Sequence, residues 1–138
     1  DGATDIGADL VDADLFIVDD GAGGTNRKVA ASRIKTYIGG GTQWQSVKTS
    51  NYTATAGQGV FMNTTSGALT LTLPASPSIG DEVTFVDYAG TFDSNNLTIA
   101  RNSSKIHGAE EDLTVAVERA ANTLVFTDST QGWLLKSK

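Results

Sequence analysis

From Gln43 onward the chain is written in short runs of alternating apolar and polar residues, and no other feature limits its fold so tightly. The clearest run is "ALTLTLP", in which Leu69, Leu71 and Leu73 fall on one side of an extended backbone and Thr70 and Thr72 on the other. A period of two is what a strand with one buried face requires; a helix face would repeat every three to four residues. "WQSVKT", "GVFMNT", "EVTFVDY", "NLTIARN", "DLTVAV", "NTLVFTD" and "GWLLKS" follow the same rule, with "PASPSIGD" and "DYAGTFDSNN" as punctuating loops.

Roughly eight or nine strands at intervals of about 8 to 12 residues predict an all-β domain over residues 42–138, an antiparallel β-sandwich of jelly-roll-like form. Its expected core is Leu71, Phe85, Leu97, Ile99, Ile106, Leu113, Val115, Leu124, Phe126 and Trp133. No strict internal repeat is visible. With no cysteine, neither a disulfide framework nor a thiolate site is available, so stability rests on packing or association.

Residues 1–41 read differently. Leu15, Phe16, Ile17 and Val18 form a strand ended by Asp19-Asp20-Gly21, and Val29 closes a return strand. From Ala30 to Ile38 the apolar residues Ala30, Ala31, Ile34, Tyr37 and Ile38 take helical spacing, and Gly39-Gly40-Gly41 stops the helix. The prediction is an N-terminal arm with a short β-hairpin and one short α-helix. So short a helix does not persist alone in water and needs a docking surface.

Charge narrows the function classes. Sixteen acidic against ten basic residues give a net charge of -6, which disfavours nucleic acid and anionic membranes as partners. No apolar run is long enough to span a bilayer, and nothing resembles a signal peptide, so a soluble chain without membrane insertion is expected. The charges are also sorted. Residues 1–20 hold seven aspartates and no base, whereas residues 21–40 hold Arg27, Lys28, Arg33 and Lys35 and no acid. Pairing between strands or chains is one reading of this, and two solvated faces of opposite sign the other.

No constellation of residues points to catalysis. "DDGAGGTNRK" lacks the Gly-Lys-Ser/Thr that a phosphate loop needs, and reads as a hairpin turn. Asp12, Asp14, Asp19 and Asp20 are a carboxylate cluster without the spacing of a calcium loop, and serve to protect a strand edge. Glu82, Asp87, Glu110, Glu111 and Glu118 are glycosidase candidates by residue type alone. His107, the only histidine, has no cysteine or second histidine to complete a zinc site, and sits beside Gly108 as a turn residue. No catalytic residue, cofactor or metal is therefore expected. Four glycosylation sequons, at Asn51, Asn63, Asn96 and Asn102, are what chance gives a chain so rich in Asn, Ser and Thr. Trp44, Tyr52, Tyr88 and Phe92 fall at strand ends or in loops and are candidate glycan contacts, with packing as the competing use.

The arrangement "ADLFIVDDGAGGTNRKVAASRIKTYIGG", then "YTATAGQGVFMNTTSGALTLTLPASPSIGDEVTFVDYAGTF", "NNLTIARNSSKIHG" and a terminal "GWLL", resembles a module of structural proteins of tailed bacteriophages, found in tail fibres and related virion appendages. The resemblance implies a non-enzymatic virion protein on the outer surface of head or tail. It implies a homotrimer with β-rich domains about a threefold axis, and contacts with other virion proteins or a host surface glycan. It carries over no catalytic residue. A capsid decoration or cement protein is the alternative, and a glycan-binding or glycan-hydrolysing domain the second. On this reading Leu15, Ile17, Ile34, Tyr37 and Ile38 bury against sister copies, while Arg27, Lys28 and Arg33 face aspartates of the adjacent chain.

Overall fold

The computed structural model describes residues 9–19, 26–37 and 41–136. The chain divides into two compact units, Asp1–Gly41 and Thr42–Lys138.

In the first unit, β1 (Leu15–Asp19) and β2 (Asn26–Ala30) form an antiparallel ribbon, with Leu15 opposite Ala30 and Asp19 opposite Asn26. Helix α1 (Ala31–Tyr37) follows β2 without a break. The first N–H groups of a helix have no partner within it. Here backbone carbonyls supply them: Ala31 N–H donates to Asp14 O at 2.8 Å and Ser32 N–H to Asp12 O at 3.3 Å. The turn that presents those carbonyls is pinned by Asp14, whose carboxylate accepts from Val11 N–H at 2.8 Å while its own N–H donates to Val11 O at 2.9 Å.

The second unit is all-β, as the alternating runs predict. Its strands are β3 (Gln43–Trp44), β4 (Tyr52–Thr53), β5 (Gln58–Met62), β6 (Leu69–Thr72), β7 (Glu82–Asp87), β8 (Leu97–Ala100), β9 (Leu113–Val115), β10 (Ala121–Phe126) and β11 (Trp133–Leu135). They form a five-stranded sheet in the order β11-β10-β7-β5-β3 and a four-stranded sheet in the order β4-β6-β8-β9. One hydrophobic core is shared by both: Val60, Met62, Val83, Phe85, Leu124 and Trp133 from the first, Leu71, Leu73, Leu97 and Ile99 from the second. Burying each large apolar side chain contributes about 1.5–3 kcal/mol. Seven of the ten expected core residues are buried, and Leu113, Val115 and Phe126 pack partly buried against them.

Strand direction departs from the expected antiparallel, jelly-roll-like sandwich. β3–β5, β5–β7, β4–β6 and β6–β8 are parallel; only β7–β10, β10–β11 and β8–β9 are antiparallel. The reason lies in the connections. From β3 to β8 every strand crosses to the other sheet, so the next strand of the same sheet returns in the same direction, and the chain makes two and a half turns around the core.

Candidate functional site

In the arm, pairing sets which side chains share a face. Leu15 and Ile17 stand with Ala30 and Lys28 on one face of the ribbon, and Phe16 and Val18 with Val29 and Arg27 on the other. Phe16 and Val29 are half-buried, but Leu15 is 60% and Ile17 71% exposed, and Leu10 and Val11, just ahead of β1 in the chain, are exposed too. Arg27, Lys28 and Arg33 are exposed and Ile34 is half-buried. Tyr37 ends the helix, while Ile38 and the loop residues Asp20 to Thr25 lie outside the described residues. An isolated ribbon of two strands is marginal in water, and this one keeps Leu15, Ile17 and Val18 out in solvent.

The carboxylates that sequence reading held up as acid–base candidates are differently employed. Asp87 is buried and accepts four backbone hydrogen bonds: Oδ1 from Gly90 and Thr91 at 2.9 and 3.2 Å, Oδ2 from Phe92 and Arg119 at 3.2 and 3.0 Å. Burial on its own works to raise its pKa, but the four donors outweigh it and hold the carboxyl below its ordinary value. A general acid needs the opposite shift and an open approach. Glu82 bonds to Lys136 Nζ at 2.7 Å on the surface, and Glu110, Glu111 and Glu118 are exposed. Among the described residues no group of three or more His, Asp or Glu is placed to hold a metal ion.

His107 occupies a turn, as expected, and its Nε2 accepts from Leu135 N–H at 3.1 Å, tying that turn to the last strand. Three sequon asparagines are likewise in structural use. Asn51 Oδ1 accepts from Thr70 N–H at 2.8 Å, Asn63 Oδ1 from Thr65 N–H at 3.1 Å, and Asn102 Nδ2 donates to Leu73 O at 2.8 Å.

The four aromatic candidates separate. Phe92 is a core residue and no glycan contact: the amides of residues 90–92 converge on the Asp87 carboxylate, and that turn carries the Phe92 ring inward. Tyr52 is half-buried against the core, its hydroxyl bonded to Gln58 at 3.2 Å and its ring under Lys48 Nζ at 4.4 Å. Trp44 and Tyr88 are open, at 50% and 52% exposure. Trp44 stacks on Phe61 with centroids 4.7 Å apart and planes 21° apart. It also lies over Gly59, where a Cβ would come within 2.6 Å of the indole. Phe61 was not among the candidates. The signal was present in "GVFM", since burial of Val60 and Met62 turns Phe61 outward.

The sequence matches no protein-family model and no curated protein.

Proposed function

We propose that the chain is a non-enzymatic structural component of a phage virion, a tail-fibre or appendage protein that assembles with copies of itself through its N-terminal arm. One observation carries the self-association: a two-stranded ribbon holds Leu15 and Ile17 in solvent, and Leu10 and Val11 in the segment leading into it are exposed as well. An exposed apolar group so concentrated in a small element is the mark of a contact surface. Exposed acids at Asp9 and Asp12 and exposed bases at Lys28 and Arg33 give one copy both halves of an electrostatic match with the next. The phage assignment and the trimer are supported by the sequence resemblance. The site chemistry agrees with a role exercised through surfaces, because Asp87, the one buried carboxylate among the described residues, fastens loops.

The test is mass in solution at micromolar concentration, for the wild type and for a variant carrying Leu15→Thr and Ile17→Thr, both β-compatible changes. A wild-type oligomer that the double variant reduces to a monomer of 14.4 kDa is the expected result. A monomeric wild type overturns the reading. Antibody labelling of intact particles then separates tail from head; label on the head would replace the appendage role with capsid decoration.

A further inference from the structure

We infer that His107 is an acid-released catch on the open edge of β11, closed while its imidazole is neutral and opened when the ring takes a proton. The catch is independent of the arm and of whatever the chain assembles with.

β11 ends the five-stranded sheet, with β10 on one side and the sheet's edge on the other. Unpaired backbone groups along such an edge invite another chain to add a strand, and proteins cover them. Alternate N–H groups point each way. Lys136 N–H donates to Thr123 O on β10 at 2.8 Å, so those of Trp133 and Leu135 face the edge. Residues 105–107 cover the first of these: Trp133 N–H donates to Lys105 O at 2.8 Å, His107 N–H donates to Trp133 O at 2.9 Å, and Ile106 between them is buried. The chain then leaves the edge, because His107-Gly108 is a tight turn with φ of 51° and 78°. Leu135 N–H is met by a side chain instead, His107 Nε2 at 3.1 Å.

For the turn alone, histidine is an unfavourable choice: Asn, Asp or Gly suits the first of two positive φ angles better. What histidine adds is reach, since its far nitrogen stands in for the carbonyl that a continued strand would have offered. A ring nitrogen accepts only when it carries no hydrogen, so the neutral ring holds its proton on Nδ1. Protonation makes Nε2 a donor facing a donor, and the bond is lost. Histidine is the side chain whose charge changes near neutral pH, and His107 is exposed, so a proton reaches it without unfolding. The bonds from residues 105–107 to Trp133 involve backbone groups, which do not titrate, and Ile106 stays buried. Release is therefore confined to Leu135 and the end of the strand.

The charges on the elements around the ring have other partners or lie in water. On β11, Lys136 pairs with Glu82 at 2.7 Å. The loop 127–132 is held to the turn by Gly108 N–H on Gln131 O at 2.8 Å, and its Asp128 accepts from Thr130 and Gln131 N–H. On the histidine's own loop Asp112 accepts from Arg101 N–H at 2.9 Å, Lys105 is half-exposed, and Glu110 and Glu111 are exposed, where solvent and salt screen them.

The experiment is amide hydrogen exchange of the full chain at about pH 7.5 and about pH 5, expressed as protection factors so that the intrinsic pH dependence of exchange cancels. Trp133 N–H is the internal reference, because its acceptor is a carbonyl. Protection of Leu135 is expected to fall about fivefold or more in acid while that of Trp133 holds. In His107→Asn, which suits the turn, and in His107→Gln, whose amide does not titrate in this range, the ratio of Leu135 to Trp133 should be the same at both pH values. Nitrogen chemical shifts of the wild-type imidazole at neutral pH should place the proton on Nδ1. Leu135 keeping step with Trp133 in the wild type overturns the proposal, as does an acid-dependent fall that persists in either variant, or a proton found on Nε2.

Discussion

Asp87 shows how much one side chain can organise when it is the right distance from several backbone amides. Asparagine is nearly isosteric, but its NH₂ would face donors where the carboxylate accepts. Asp87→Asn should therefore lower stability by about 1–3 kcal/mol, read as a fall in thermal midpoint at neutral pH. The pH dependence follows from the direction of the shift. Because the folded carboxyl titrates below its ordinary value, it stabilises the fold above the unfolded pKa, and that contribution is lost as pH falls through the folded one. The gap between wild type and Asp87→Asn should accordingly close on acidification, and a constant gap would show that the charge is not what matters. None of this was legible in "EVTFVDYAGTF". Alternation correctly turns Asp87 inward with Val83 and Phe85, but the return of Phe92 into the core depends on hydrogen bonds that no periodicity encodes.

At the scale of elements, the sequence was informative about where strands and helix lie and silent about their partners. The helix predicted over Ala30–Ile38 occupies Ala31–Tyr37, because apolar spacing and the glycine run mark its span. Leu71, Leu97, Ile99 and Leu124 are buried as the alternation requires, whereas Val60, Met62 and Val83 went unnamed in shorter or less regular runs. Parallel or antiparallel pairing leaves the same alternation, so direction could not be read. Turns offer a sharper test. His107-Gly108 is a two-residue turn with φ of 51° and 78°, closed by hydrogen bonds of 3.0 and 2.9 Å between Ile106 and Ala109. Asn102-Ser103 has φ of 48° and 73°, with serine at a position that favours glycine. Ser103→Gly should stabilise by about 1 kcal/mol. Gly132→Ala should destabilise by about 3 kcal/mol, since φ is 72° and a Cβ would collide with the Lys105 carbonyl. Thermal melts of the two variants moving in the same direction would refute the account.

For the molecule as a whole, the decisive feature is that the parallel neighbours in each sheet are far apart in the chain. Tyr52 pairs with Leu71, and Leu71 with Ile99. Contacts of such separation close large loops before they reward the chain, so refolding should be a slow, concentration-independent phase on the order of milliseconds to seconds, followed by tryptophan fluorescence. A microsecond phase carrying the whole signal would contradict the winding.

The winding also separates two kinds of change that a lineage can accumulate. The stretch from Trp44 to its partner Gly59 is much shorter than that from Gly59 to Thr84, yet both end in parallel pairs of the same sheet. Insertions between sheets thus leave the frame intact, while a single residue gained inside a strand would turn its inward side chains to water. Rims can diversify quickly to meet new surfaces, as the strands beneath them stay fixed.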